Sequence, residues 1–225
     1  MKNHNNSKSD IKISEEIRGE FAIFASEMKD ITDIFNLADA QPQPASGSML
    51  IAKPTVDDTC FSRSVIAVIS HSAQSSMGLI INRPADITLN DVVPGLDTDE
   101  EIPMFIGGPV DLDTLFYLHT LGDAIPQSKQ IAEGLYIGGD YDAMKRYINS
   151  GAPVYGKIKF LLGYSGWAAG QLAAEIDLHD WAVVPGIDLT MIMREGEDGI
   201  WRDAVNSLGE RYRMWLNWPS NLTMN

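Results

Sequence analysis

Gly163-Tyr164-Ser165-Gly166-Trp167 is the stretch that comes nearest to a nucleophile motif. A serine on a strained strand-to-helix elbow needs glycine two residues before it and two after, because the backbones on both sides come too close for side chains. Gly163 meets the first condition and Trp167 fails the second. A triad also needs an acid and then a histidine further along the chain, and Asp177 and His179 stand in that order. Two residues apart at a helix end, they point in different directions. The spacing predicts a tight turn shaped by Gly163 and Gly166, with Ser165 a small residue in it and Trp167 plugging the core below.

His71, Asn82 and Arg83 form the most concentrated polar group. His71 closes one apolar run, and Asn82-Arg83 close the next after a short turn at SAQSSMG. If the two runs pair as a hairpin, His71 sits at the turn and Asn82 at the opposite end, so the two need not meet. Arg is the usual fork for carboxylate or phosphate, and Pro84 keeps the backbone before it extended. The plainer role for Asn82 and Arg83 is to satisfy backbone groups at a strand end, where most side-chain hydrogen bonds go.

Metal and cofactor chemistry find little support. The histidines, at 4, 71, 119 and 179, have no partners at ligand spacing. The chain has no G-x-x-x-x-G-K-[ST] phosphate cradle, and the glycine pairs at 107–108 and 138–139 do not extend to G-x-G-x-x-G. Gly138-Gly139 precede a helix that Asp140 or Asp142 would cap, and those carboxylates repel an anion there. Cys60, the one cysteine, excludes an internal disulfide and suits a reducing compartment; beside Phe61 it reads as a small apolar core residue.

A net charge of −14 and the absence of a basic stripe argue against direct DNA binding. The N-terminal stretch lacks an apolar leader segment and the chain has no run long enough to span a bilayer, so the expected location is the cytoplasm and no membrane is expected among its partners.

The elements that must position these residues read as short apolar runs between turn signals from Ser48 onward. MLIAK, SVIAVIS, MGLIIN, MFIGG, LFYLH, GLYIGG, KIKFLLG and WAVVP are strands. Helices are expected at LNDVV, DAMKRYINSG, WAAGQLAAEI and IWRDAVNSLG. Irregular mixing of strands and helices predicts an α+β or mixed α/β domain over residues 46–225. Residues 1–45 read as an extension: apolar residues from Ile13 to Ala38 recur every three or four positions, one face of a helix, before a Pro/Ser linker. That face would dock on its own domain, a partner or a second copy. Trp215 and Trp218 near the C-terminus would cover the core or join such a surface.

FSRSVIAVISH, SMGLIINRP, IGGPV, FYLH, EGLYIGGDYDAM and LLGYSGWAAGQLAAEI, in this order from about residue 47 to 209, resemble the bacterial AlgH/YqgE family. The resemblance implies a single compact α+β domain with a mixed, strongly bent sheet around helices, and no established activity. Its members are described as transcriptional regulators, a description this acidic chain does not support physically. The family commonly carries Ala at position 165, which speaks against a serine nucleophile. His71, Asn82, Arg83, Gly107, Gly108 and His119 fit its pattern. Ser70 replaces a frequent Glu before His71, and Cys60 replaces an aromatic, so neither an acid–His pair nor a thiol function is expected.

Taken together, these residues predict a non-enzymatic cytoplasmic binding or regulatory protein, without cofactor, metal or catalytic constellation. Its ligand-binding surface would be built from His71, Asn82, Arg83, Gly107, Gly108 and His119, for an unidentified small molecule or protein. Alternatives are an enzyme on a small polar substrate with His71 or His119 as general base, and a transcriptional regulator.

Overall fold

The structure, a computed structural model, describes residues 41–56, 58, 60–196 and 199–218. The expected N-terminal helix and most of the 1–45 extension lie outside the described residues. The order is β1 (Met49–Ala52), β2 (Val65–His71), β3 (Ser75–Ile80), β4 (Pro84–Thr88), α1 (Leu89–Val92), β5 (Pro103–Ile106), β6 (Val110–His119), β7 (Lys129–Ala132), β8 (Leu135–Ile137), α2 (Tyr141–Asn149), β9 (Ile158–Ala168), α3 (Gln171–Asp177), β10 (Trp181–Val184), α4 (Leu189–Met193), α5 (Ile200–Ser207) and α6 (Arg213–Leu216). This is the expected α+β class: a large, mostly antiparallel sheet flanked by helices.

The described strands join in the order β10-β1-β2-β3-β9-β6-β8-β7, with β4 on β5 and β5 parallel to β9. The eleven-residue β9 is the pivot. Its first half lies between β6 and β5, with Leu161 opposite both Phe116 and Phe105, and its second half pairs with β3, Ser165 opposite Gly78. Between the halves Gly163 has φ +66°, and a Cβ there would press on the carbonyl oxygens of Gly108 and Val110. Only glycine adopts that conformation in that space.

Helices cover the sheet through apolar stripes. α2 begins at Asp140, whose side chain accepts from the Ala143 N–H; it buries Ala143, and its Met144 and Ile148 join a cluster with Leu89, Met104, Tyr117 and Phe160. The cap satisfies one of the free N–H groups of the first turn. α3 buries Leu172 and Ile176 against Leu50, Ile66, Ile80, Trp167 and Trp181. α5 buries Ile200, Trp201, Ala204 and Val205, and the Trp201 indole donates to the Ala52 carbonyl. Trp215 is also buried, edge-on to Tyr212, so it covers the domain's own core.

One boundary differs from the sequence reading. The expected helix from Trp167 is strand to Ala168, and α3 starts only at Gln171 after Gly170 turns the chain at φ +74°. Trp167 stays in the ladder opposite Ser76, with its ring edge-on to Trp181. Tertiary packing here overrides helix propensity. The short β4, β7, α4 and α6 carry too few residues for a periodic pattern to show.

Candidate functional site

Ser165 does not sit in the tight turn expected around it. It lies mid-strand in β9, has no exposed surface, and its hydroxyl donates to the Gly107 carbonyl at 3.2 Å.

The hairpin of β2 and β3 brings His71 opposite Ser76, and His71 Nδ1 lies 2.7 Å from Ser76 Oγ. The turn is closed by Ser72, whose hydroxyl accepts from the Gln74 and Ser75 N–H groups and donates to the Ser75 carbonyl. This fixes which way the His71 end of β2 faces. Because Ser75 and Ser76 pair with Ala168 and Trp167, the start of α3 comes alongside. His71, Ser72 and Ser76 on one side, and Ala168, Gly170 and Ala173 on the other, line a cleft of about 150 Å³. His71 is exposed, Ser76 is buried, and among the described residues His71 is the one ionisable side chain lining the cleft.

The far wall is held by a carboxylate. Glu175 Oε2 accepts from both indoles, Trp167 at 2.7 Å and Trp181 at 2.8 Å, while its Oε1 accepts from the Gln171 amide at 2.9 Å. Gln171 Oε1 in turn accepts from the Ala168 N–H. The cleft is thus a preformed surface, with side chains locked from behind.

The other sequence-derived candidates do not join His71. Asn82 accepts from the Val65 N–H at 2.8 Å and donates to the Arg63 carbonyl at 2.9 Å. Arg83 donates to the carbonyls of Cys60 and Ser62 at 2.9 and 3.1 Å. Both act at the far end of β2, about 20 Å from His71 at the rise of a strand. Gly107 and Gly108 are buried, and their Cβ atoms would overlap the backbone of Gly163 and Tyr164. Their lack of side chains serves contact with β9. His119 has no exposed surface; Nε2 lies 3.0 Å from the Gly138 carbonyl, Nδ1 accepts from the Leu121 N–H, and the ring stacks on Tyr136. With Nε2 donating and Nδ1 accepting, the ring is neutral, and burial lowers its pKa. It has no free nitrogen with which to act as a general base. Cys60 is half-buried, and burial raises its thiol pKa despite the nearby Arg83.

Sequence reasoning passed over Lys159. It is 3% exposed, and its ammonium donates to the carbonyls of Ile81 and Arg194, each at 2.7 Å, 3.9 Å above the Phe105 ring. Burial lowers its pKa to about 7; Glu195 offsets this in part and Arg194 adds to it. Lys159 sits inside an otherwise apolar strand, KIKFLL, and that was the available signal.

The AlgH-like family model matches residues 49–213. The chain belongs to the AlgH-like family. This AlgH-like chain is 43% identical over 194 residues to a UPF0301 protein of Bacteroides fragilis, covering 86% of this chain and 98% of that one. A UPF0301 protein of Parabacteroides distasonis is 40% identical over 199 residues, 88% of this chain and all of the relative. Among solved structures, the AlgH protein of Pseudomonas aeruginosa matches with a TM-score of 0.61 at 28% identity, covering 82% of this chain and 100% of that one. Protein DIP2367 of Corynebacterium diphtheriae matches with a TM-score of 0.63 at 25% identity, over 81% and 96% of the two chains. The His71 cleft and the Trp167–Gln171–Glu175 wall fall within the matched span. Among the described residues no helix is long and apolar enough to cross a membrane.

Proposed function

We propose that this AlgH-like chain is a cytoplasmic binding protein of regulatory type, and that His71 presents the contact site for a small polar ligand. The carrying observation is the composition of the cleft among the described residues: one ionisable side chain, flanked by the hydroxyls of Ser72 and Ser76 and by small apolar walls. Such a lining offers hydrogen bonds and shape without a second charged group to share a proton. The lone Cys60 agrees with a reducing compartment. The charge of −14 favours regulation through a ligand or a protein partner over direct contact with DNA.

A thermal-shift screen of the full chain against amino acids, nucleotides and sugars, repeated on His71→Ala, tests this reading. Specific binding raises Tm by mass action. A stabilising compound whose effect is lost in the variant is the expected result; stabilisation that survives the substitution moves the site elsewhere.

A second reading has one observation in its favour. At 2.7 Å from Ser76 Oγ, His71 is within reach to accept a proton, as a general base would. Turnover of a compound found in the screen, lost in His71→Gln with binding retained, would support an enzyme.

A further inference from the structure

Ser76 lies in β3 with a strand on each side, opposite His71 of β2 and Trp167 of β9, and it is buried. Residues directly opposed across an antiparallel pair share a face, which brings Ser76 Oγ to 2.7 Å from His71 Nδ1. A neutral imidazole carries its proton on one nitrogen, and the bond made by one nitrogen sets the role of the other. If the Ser76 hydroxyl donates to Nδ1, the ring proton is on Nε2 and His71 meets a ligand as a donor. If Nδ1–H donates to Ser76, Nε2 is an acceptor and the hydroxyl hydrogen must turn elsewhere. The first arrangement gives the buried hydroxyl an acceptor inside the protein, and burying a hydroxyl without one is costly. The exposed ring loses little in either case.

Ser72 adds no further donor. Its hydroxyl accepts from two N–H groups and donates to the Ser75 carbonyl, which fills the capacity of a hydroxyl. Among the described side chains of the cleft, hydrogen bonding to a ligand therefore falls to His71 Nε2, with Ala73, Ala168, Gly170 and Ala173 as small walls around it. At about 150 Å³ the cleft is smaller than pockets that enclose whole small molecules, about 300–1,000 Å³, so it receives one end group of a ligand.

We propose that Ser76 is a positioning residue that holds His71 as a hydrogen-bond donor, and that the cleft consequently selects ligands presenting a carbonyl oxygen, of an amide or a carboxylate, on a small end group. The inference rests on the reading of the His71 cleft as a binding site. The ligand oxygen accepts from His71 Nε2–H, and the end group lies against Ala73 and Ala173. An ammonium group, which only donates, finds no acceptor on the ring.

Nitrogen NMR of the imidazole in isotope-labelled full-length protein, at alkaline pH, reads the tautomer directly. The His71 signals, identified by their loss in His71→Ala, should show a bare Nδ1 and a protonated Nε2. Ser76→Ala should shift the Nδ1 signal and populate the other tautomer, and Ser76→Thr, which keeps the hydroxyl, should restore the wild-type pattern. Acetamide, acetate and methylammonium are then titrated separately at constant ionic strength. Acetamide or acetate should move the His71 Nε2 signal and the Gly170 and Ala173 amides, whereas methylammonium should not, and Ser76→Ala should lose this preference. The stronger response of the two identifies the carbonyl class. A proton on Nδ1 in the wild type overturns the proposal, as does an equal response to methylammonium or no response to either carbonyl probe. A compound from the thermal-shift screen that binds through His71 but carries no carbonyl oxygen overturns this inference alone and leaves the binding site in place. Absence of any His71-dependent ligand removes both.

Discussion

The two ends of the β2–β3 hairpin carry similar polar residues and use them in opposite ways. At the far end, Asn82 and Arg83 spend their donors and acceptors on backbone groups of residues 60–65, Lys159 holds the Ile81 carbonyl, and the Ile80 N–H donates to Gly107. At the turn end, His71 bonds Ser76 and faces a cleft. The difference lies in the neighbouring backbone. Residues 60–64 form an irregular segment whose carbonyls and N–H groups need side-chain partners, whereas the tight turn at 72–75 satisfies its own through Ser72. A polar residue is available to a ligand where the local chain has no use for it.

The sharpest way to break this contrast is Gly108→Ala, behind the far end. A Cβ there overlaps the Tyr164 carbonyl, and backbone cannot move aside as a side chain can. The expected cost exceeds about 4 kcal/mol, seen as loss of a cooperative unfolding transition; a soluble variant with near-normal Tm would show that the Gly108–β9 contact is dispensable.

Lys159 gives the next largest effect, through pH. Its folded pKa of about 7 lies below the ordinary 10.5, so between these values the unfolded chain binds more protons than the folded one. Burial of the ammonium costs most below pH 7, and stability should rise with pH across the window by up to about 1.4 kcal/mol per unit. Lys159→Met lacks this slope. The wild type should therefore gain on the variant from pH 7 to pH 10 in denaturant melts, and parallel curves would refute the buried-ammonium account.

Asn82→Ala and His71→Ala compare the two ends directly. The first leaves the Val65 N–H and Arg63 carbonyl without their partner and should cost about 2–4 kcal/mol. The second removes an exposed ring and its bond to Ser76 and should cost about 1 kcal/mol or less. Equal costs in urea unfolding would erase the distinction between a committed and an open end.

Much of this architecture was legible in the chain. Apolar runs bounded by Gly, Pro and Asn marked β1, β2, β3, β5, β8 and β10, and of the two capping candidates, Asp140 and Asp142, the structure uses Asp140 to start α2. The expectation that His71 and Asn82 need not meet follows from hairpin geometry alone, and the hydrogen bonds of Asn82 and Arg83 fall on backbone as strand-end residues commonly do. The serine–histidine contact across the turn was not legible, because it depends on which residues face each other after a register shift between Val68 and Ser70. Nor was the start of α3, since Ala, Gln and Leu favour helix from Trp167 onward and only the ladder with β3 holds that residue extended.

What the sequence by itself determined is the set of local elements, the acidic surface, the family and the glycines at 107, 108 and 163, because each follows from composition, periodicity or an ordered run of motifs. The tertiary structure alone decided which polar groups are consumed and which stay open. Hydrogen-bond satisfaction is a property of neighbours in space: Ser165 ends against Gly107, His119 against Gly138, and Lys159 between two carbonyls, while His71 is left facing a cleft.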